Sequence, residues 1–186
     1  ACSGQSGTRG WSGGYRQRAI FRVGNRLTVG DQAAGARRLT AHALSDLHRH
    51  LDGSLRPQTL RELALAAGVS VPEPFGFWAG MGLQPALDCF VTTLRVLQSP
   101  QAVARVAAEI CEDAAAEGVT TLEIRFAPQL HAGASLGAIV DAALQGIAGR
   151  AGLVLCGLYG EPPDQVGALV RAAETRPGVV GLDLAG

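Results

Sequence analysis

"SPQAVARVAAEICEDAAAEGVTTLEIRF", residues 99–126, carries a helix straight into a strand. Ser99-Pro100 opens the helix, Val103, Val106, Ala107, Ile110 and Ala114 share one face at helical spacing, and Gly118 stops it. From Val119 the period drops to two. Leu122, Ile124 and Phe126 then fall on one side of the chain, and Glu123 and Arg125 on the other, as a β-branched, alternating strand requires.

The same alternation extends in both directions. Upstream, "ALSDL" (43–47) reads as a short strand. "PQTLRELALAAG" follows as a helix, with Leu60, Leu63, Ala64 and Ala67 in register, Pro57 near its start and Gly68 as its stop. A Pro/Gly-rich loop, "VPEPFGFWAGMG", leads to a second apolar segment over 83–97. Downstream, a helix is expected over about 135–150, a strand over 153–159, a helix over about 164–175 and a strand over 179–186. Strands and helices in strict alternation predict a parallel sheet and the α/β class, with four countable strands.

Composition excludes more than it identifies. With 186 residues, 47% of them hydrophobic, the chain can bury a sizeable core, but it is short for an eight-fold barrel. No apolar run approaches the roughly 18 residues of a membrane span, so no membrane association is expected. The four cysteines are scattered with no CxxC pair, which fits a reduced, cytoplasmic chain rather than a disulfide scaffold or thiolate zinc site. Zero net charge conceals an asymmetry: residues 1–40 are +6 and residues 41–186 are −6. All sixteen basic residues are arginine, so the arginines are discounted as a specific signal and no nucleic-acid partner is expected. Residues 1–40 read as a flexible, basic Gly/Ser/Arg-rich leader in which only "AIFRV" (19–23) resembles a strand.

Chemistry concentrates in "SDLHRHLDGSLRP" (45–57). Residues two apart on a strand project to the same side, so His48 and His50 can aim both imidazoles at one point. That suits two ligands of one divalent metal, although a catalytic zinc takes three protein ligands and a water. A polar turn containing histidines is the competing reading. The position favours a site, because strand ends followed by loops are where α/β barrels place their chemistry, and Asp52 and Gly53 add a carboxylate and a pliable turn.

"LHRHLDGSLRPQTL" closely resembles the first strand and loop of the adenosine deaminase family of metal-dependent amidohydrolases. "VLQSPQAVARVAAEICEDAAAEGVTTLEIRFAPQLH", "GLVLCGLY" and "GVVGLDLAG" are similar to its second, third and fourth barrel strands with their flanks, in order, so the resemblance spans about residues 44–186. It implies a partial TIM-type (β/α)8 barrel of roughly four βα units over 41–186, and a zinc-dependent hydrolase that deaminates a purine nucleoside. It makes His48 and His50 zinc ligands, Asp52 the residue that hydrogen-bonds the ribose, and Gly186 a backbone donor to the purine ring. Leu83, Leu87 and Phe90 fall where the family has an apolar lid, with core packing an equal reading for them.

The resemblance also implies what these residues lack. The third ligand histidine, the proton-donating glutamate, the histidine orienting the attacking hydroxide and the late aspartate are expected beyond Gly186. No catalytic acid or base is therefore assigned within the chain. His131 follows a strand end and reads as a surface-loop residue. Tyr159-Gly160 stand where the family commonly has an Arg-His pair, which leaves the substrate open: adenosine first, with adenine or an adenine-bearing menaquinone precursor as alternatives. A chain ending at the fourth strand is expected to be inactive alone and to self-associate through its open edges. A non-catalytic half-barrel interaction module is the competing reading.

Overall fold

The computed structural model describes residues 20–23, 26–31, 34–37, 43–73, 75–76 and 78–185, and divides the chain into two units, 1–40 and 41–186. In the first unit, β1 (Ile20–Val23), β2 (Arg26–Asp31) and β3 (Ala34–Arg37) form an antiparallel meander in the order β1-β2-β3. The strand expected at 19–23 is β1. Neither β2 nor β3 is expected from the sequence, because the Gly, Ser and Arg content of the segment hides the alternation of Leu27 and Val29 with Arg26, Thr28 and Gly30.

The second unit holds one parallel sheet of β4 (Leu44–His50), β5 (Val119–Phe126), β6 (Gly152–Leu158) and β7 (Val179–Ala185), in that order. Helices α1 (Pro57–Ala67), α2 (Leu83–Val96) and α3 (Pro100–Ala116) connect β4 to β5; α4 (Leu136–Ile147) and α5 (Pro163–Glu174) make the next two crossovers. Sequence order equals spatial order, as in one arc of a βα barrel.

Local chemistry sets the boundaries. Ser99 caps α3 by accepting the Ala102 N–H at 3.2 Å, and Ser135 caps α4 by accepting that of Ala138 at 3.3 Å. α1 ends at Gly68, whose φ of 63° lies in the left-handed region that favours glycine. α4 stops at Ile147, three residues before the expected Arg150, because Ala148 turns left-handed at φ 49° and Gly149 follows at 75°.

The core lies between the sheet and the helices. Leu122, Ile124 and Phe126 of β5 are buried against Val103, Val106, Ala107, Ile110 and Ala114 of α3, so both sequence periodicities point into the same interior. α3 and α4 pack closely at Gly146, where an added Cβ would stand 2.1 Å from the Ala104 carbonyl oxygen. β6 is buried over most of its length, whereas Val180, Leu182 and Leu184 on β7 and Leu47 on β4 are exposed. β4 and β7 are the sheet's two edges.

Candidate functional site

β4 runs through His50, so the two histidines sit at the carboxyl end of an edge strand. Their rings are 5.2 Å apart and tilted by 41°. His50 meets the ring of Phe90 edge-on at 5.8 Å, and the same ring crowds Gly53, where a Cβ would come within 3.0 Å of it. A side chain at Gly53 would therefore require the Phe90 ring to shift by a few tenths of an ångström. Ser54 Oγ donates to the His50 carbonyl at 2.6 Å, and the Leu51 N–H donates to the Arg125 carbonyl at 3.0 Å, which ties the turn to β5.

Asp52 lies in this turn, 8% exposed. Burial raises its pKa, while the neighbouring His131 and the backbone N–H groups of Asp52 and Gly53 pull it down. Its Oδ1 is 3.8 Å from His50 Nδ1, close enough for charge attraction but beyond hydrogen-bond reach, and has no hydrogen-bond partner among the described residues. Arg125 of β5 donates to the Asp183 carboxylate on β7 and to the Leu47 carbonyl on β4, so one guanidinium spans the sheet near the histidines.

His131 corrects the sequence reading. It is 1% exposed and packs edge-on against Phe126 with ring centroids 5.3 Å apart, because the 3-10 turn at Pro128–Leu130 folds it back under the loop. Its Nδ1 lies 2.6 Å from the Leu97 carbonyl oxygen. Burial lowers its pKa, opposed by that hydrogen bond and by the Asp52 charge. No pattern in the sequence distinguishes this histidine from an exposed one, since its burial depends on Leu97, thirty-four residues away.

Leu83 and Leu87 are exposed together with Val91, an i, i+4, i+8 stripe on α2, and take no part in the core of the described residues. Gly160 turns the chain after β6 with φ 87°, beside an exposed Tyr159. Gly186 lies outside the described residues. A cavity of about 390 Å³ between α1 and α2 is lined by Gly53, Leu55, Leu60, Val71, Phe75 and Thr93 among others; it shares Gly53 with the site but neither histidine.

Whether these residues suit a metal turns on the donors. Burial lowers the His50 pKa, followed by the charges of His48 and Arg125, so His50 stays neutral and its lone pair is available near neutral pH. The donor type fits zinc. The number does not reach a catalytic set, because the described residues contain no group of three or more His, Cys, Asp or Glu that could hold an ion.

Comparison with known proteins supplies the context for this pair. The adenosine deaminase family model matches residues 43–186. An adenosine deaminase of Mycolicibacterium vanbaalenii is 40% identical over 172 residues, covering 75% of this chain and 45% of that protein. The apo structure of the N6-methyl-AMP deaminase from Arabidopsis thaliana superposes with a TM-score of 0.66 at 29% identity, over 77% of this chain and 49% of that one. An amidohydrolase from Burkholderia ambifaria, solved with bound Zn, shares the fold at a TM-score of 0.61 and 21% identity, over 76% of this chain and 43% of that one. The chain spans between 21% and 48% of the length of the first curated relatives it matches. With the family model matching residues 43–186, well over half of the chain, the chain belongs to the adenosine deaminase family.

Proposed function

We propose that residues 43–186 carry the first metal ligands and the sugar contact for zinc-dependent hydrolytic deamination of a purine nucleoside, in which adenosine and water give inosine and ammonia. His48 and His50 would hold the ion. A zinc ion held there supplies the Lewis acidity that brings the pKa of water to about 7. Asp52 would accept a hydrogen bond from a ribose hydroxyl, and Gly186 would offer its backbone N–H to the purine. The scattered cysteines favour a reducing compartment, the cytoplasm, and no helix of the described residues is long and apolar enough to cross a membrane.

The paired imidazoles at the end of β4, beside a buried carboxylate, are the observation that supports this reading. Equilibrium dialysis of the 186-residue chain with zinc and either adenosine or adenine tests it. A hydrogen bond to a charged group contributes about 1.5–3 kcal/mol, so adenosine should bind about tenfold or more tighter than adenine. Equal retention of the two would end the nucleoside reading in favour of a free base.

The exposed Val180, Leu182 and Leu184 on edge strand β7 favour a second property, self-association of the chain. Sedimentation should show a dimer or larger species that Leu182→Lys shifts toward monomer. A chain monomeric at all concentrations would rule this out.

A further inference from the structure

Arg56 stands where a helix favours another kind of residue. It is the N-cap of α1, with Pro57 at the first helical position, and its carbonyl accepts the Leu60 N–H at 2.9 Å. Side chains favoured there bring an oxygen to the free N–H groups, and the positive end of the helix dipole disfavours a cation. The Arg56 side chain does not cap α1 but crosses to α3. There Nη2 donates to Asp113 Oδ1 at 2.9 Å and Nε to Oδ2 at 3.2 Å; Nη2 also reaches Glu112 Oε2 at 2.8 Å and the Glu109 carbonyl at 3.3 Å. Asp113 lies in the last turn of α3, the end at which a helix favours positive charge. A forked guanidinium–carboxylate pair with further acceptors is held more firmly than a lone surface ion pair.

α1 has a separate attachment to the same helix. Thr59 Oγ1 donates to the buried Glu109 carboxylate at 2.7 Å, and Arg105 joins Glu109 at 2.9 Å and Glu62 at 2.6 Å. Loss of the Arg56 grip therefore leaves α1 on α3 and releases only the exit of the turn that follows β4. The entry of that turn is fixed by the Leu51 N–H on the Arg125 carbonyl, and Asp52 and Gly53 lie between the two ends. We propose that Arg56, gripped by Asp113, is a positioning residue for the turn of residues 51–55 and so sets where the Asp52 carboxylate stands. The consequence for a sugar rests on the ribose reading above; the positioning of the turn does not.

The test uses the full chain with Asp113→Asn, a change on α3 outside the turn, read by amide hydrogen exchange and by equilibrium dialysis with zinc and adenosine or adenine. Exchange at Leu51 and Ser54, whose N–H groups donate to the Arg125 and Leu51 carbonyls, should quicken about tenfold or more, while Val69, bonded to the Ala64 carbonyl at the end of α1, keeps its rate. Arg56→Gln combined with Asp113→Asn should quicken the turn by less than the two single effects together. Adenosine binding should fall about tenfold and adenine binding stay unchanged. If Asp113→Asn fails to fold, Arg56→Lys, which keeps the charge and loses the fork, carries the same readouts. Unchanged exchange at Leu51 and Ser54, or an equal rise at Val69, overturns the positioning, since the turn is then independent of Arg56 or merely shares a general loss of stability. A quickened turn with adenosine binding unchanged overturns the consequence for Asp52. Equal binding of adenosine and adenine by the unsubstituted chain instead removes the ribose reading, and the exchange rates still decide the turn.

Discussion

Phe126→Ala should cost about 3–5 kcal/mol, a large part of the roughly 5–15 kcal/mol that holds a domain of this size together. Phe126 is 1% exposed at the end of β5, faces the α3 side of the sheet and supports the His131 ring. Removing it leaves a cavity that the surrounding helices cannot easily close, since Gly146 already brings α4 against the backbone of α3. Urea unfolding measures it: with a slope of about 1–3 kcal/mol/M, the midpoint should fall by at least about 1 M. Tyr159→Ala, at an exposed turn, should change stability by no more than about 0.5 kcal/mol. Similar shifts for the two variants would show that the core is not where the burial places it.

Adenosine mixed with zinc and the 186-residue chain should disappear no faster than with zinc alone. Enzymes of ordinary efficiency accelerate their reactions by about 10⁶-fold or more, so the difference between this outcome and activity is not a matter of degree. A catalytic zinc takes three protein ligands and keeps a position for water, whereas the described residues offer two imidazoles side by side and no third donor grouped with them. Arg125 and Asp183, the charged groups nearby on the sheet, are engaged with each other. Saturable, zinc-dependent formation of inosine would contradict this assignment.

Most of the second unit was legible because its boundaries are set by local chemistry. Pro57, Gly68, Ser99 and Gly118 act within a few residues of where they stand, and the alternation in 119–126 needs only one buried face to appear. The sequence misled wherever the decisive partner is distant. α2 was seen as an apolar segment, yet nothing in it told that Leu83, Leu87 and Val91 would remain exposed while Thr93 and Val96 were buried. His131 took its place from Leu97 and Phe126, and Ala148 adopts a left-handed turn that alanine's helix propensity argues against. Within the site, the projection of His48 and His50 followed from strand periodicity alone. The unpartnered Oδ1 of Asp52 could be known only from the folded chain.

Calorimetric titration with zinc, repeated with cobalt as a spectroscopic substitute, most directly tests the assignment of His48 and His50. Loss of a group that merely supports a ligand costs about 10–100-fold in metal affinity, so loss of either ligand should cost no less. The expected result is binding of one ion by the unsubstituted chain, weakened at least about tenfold in His48→Ala and in His50→Ala and unaltered in His131→Gln. Affinity unchanged by both alanine substitutions would mean that the histidine pair on β4 is a polar turn and not a metal site.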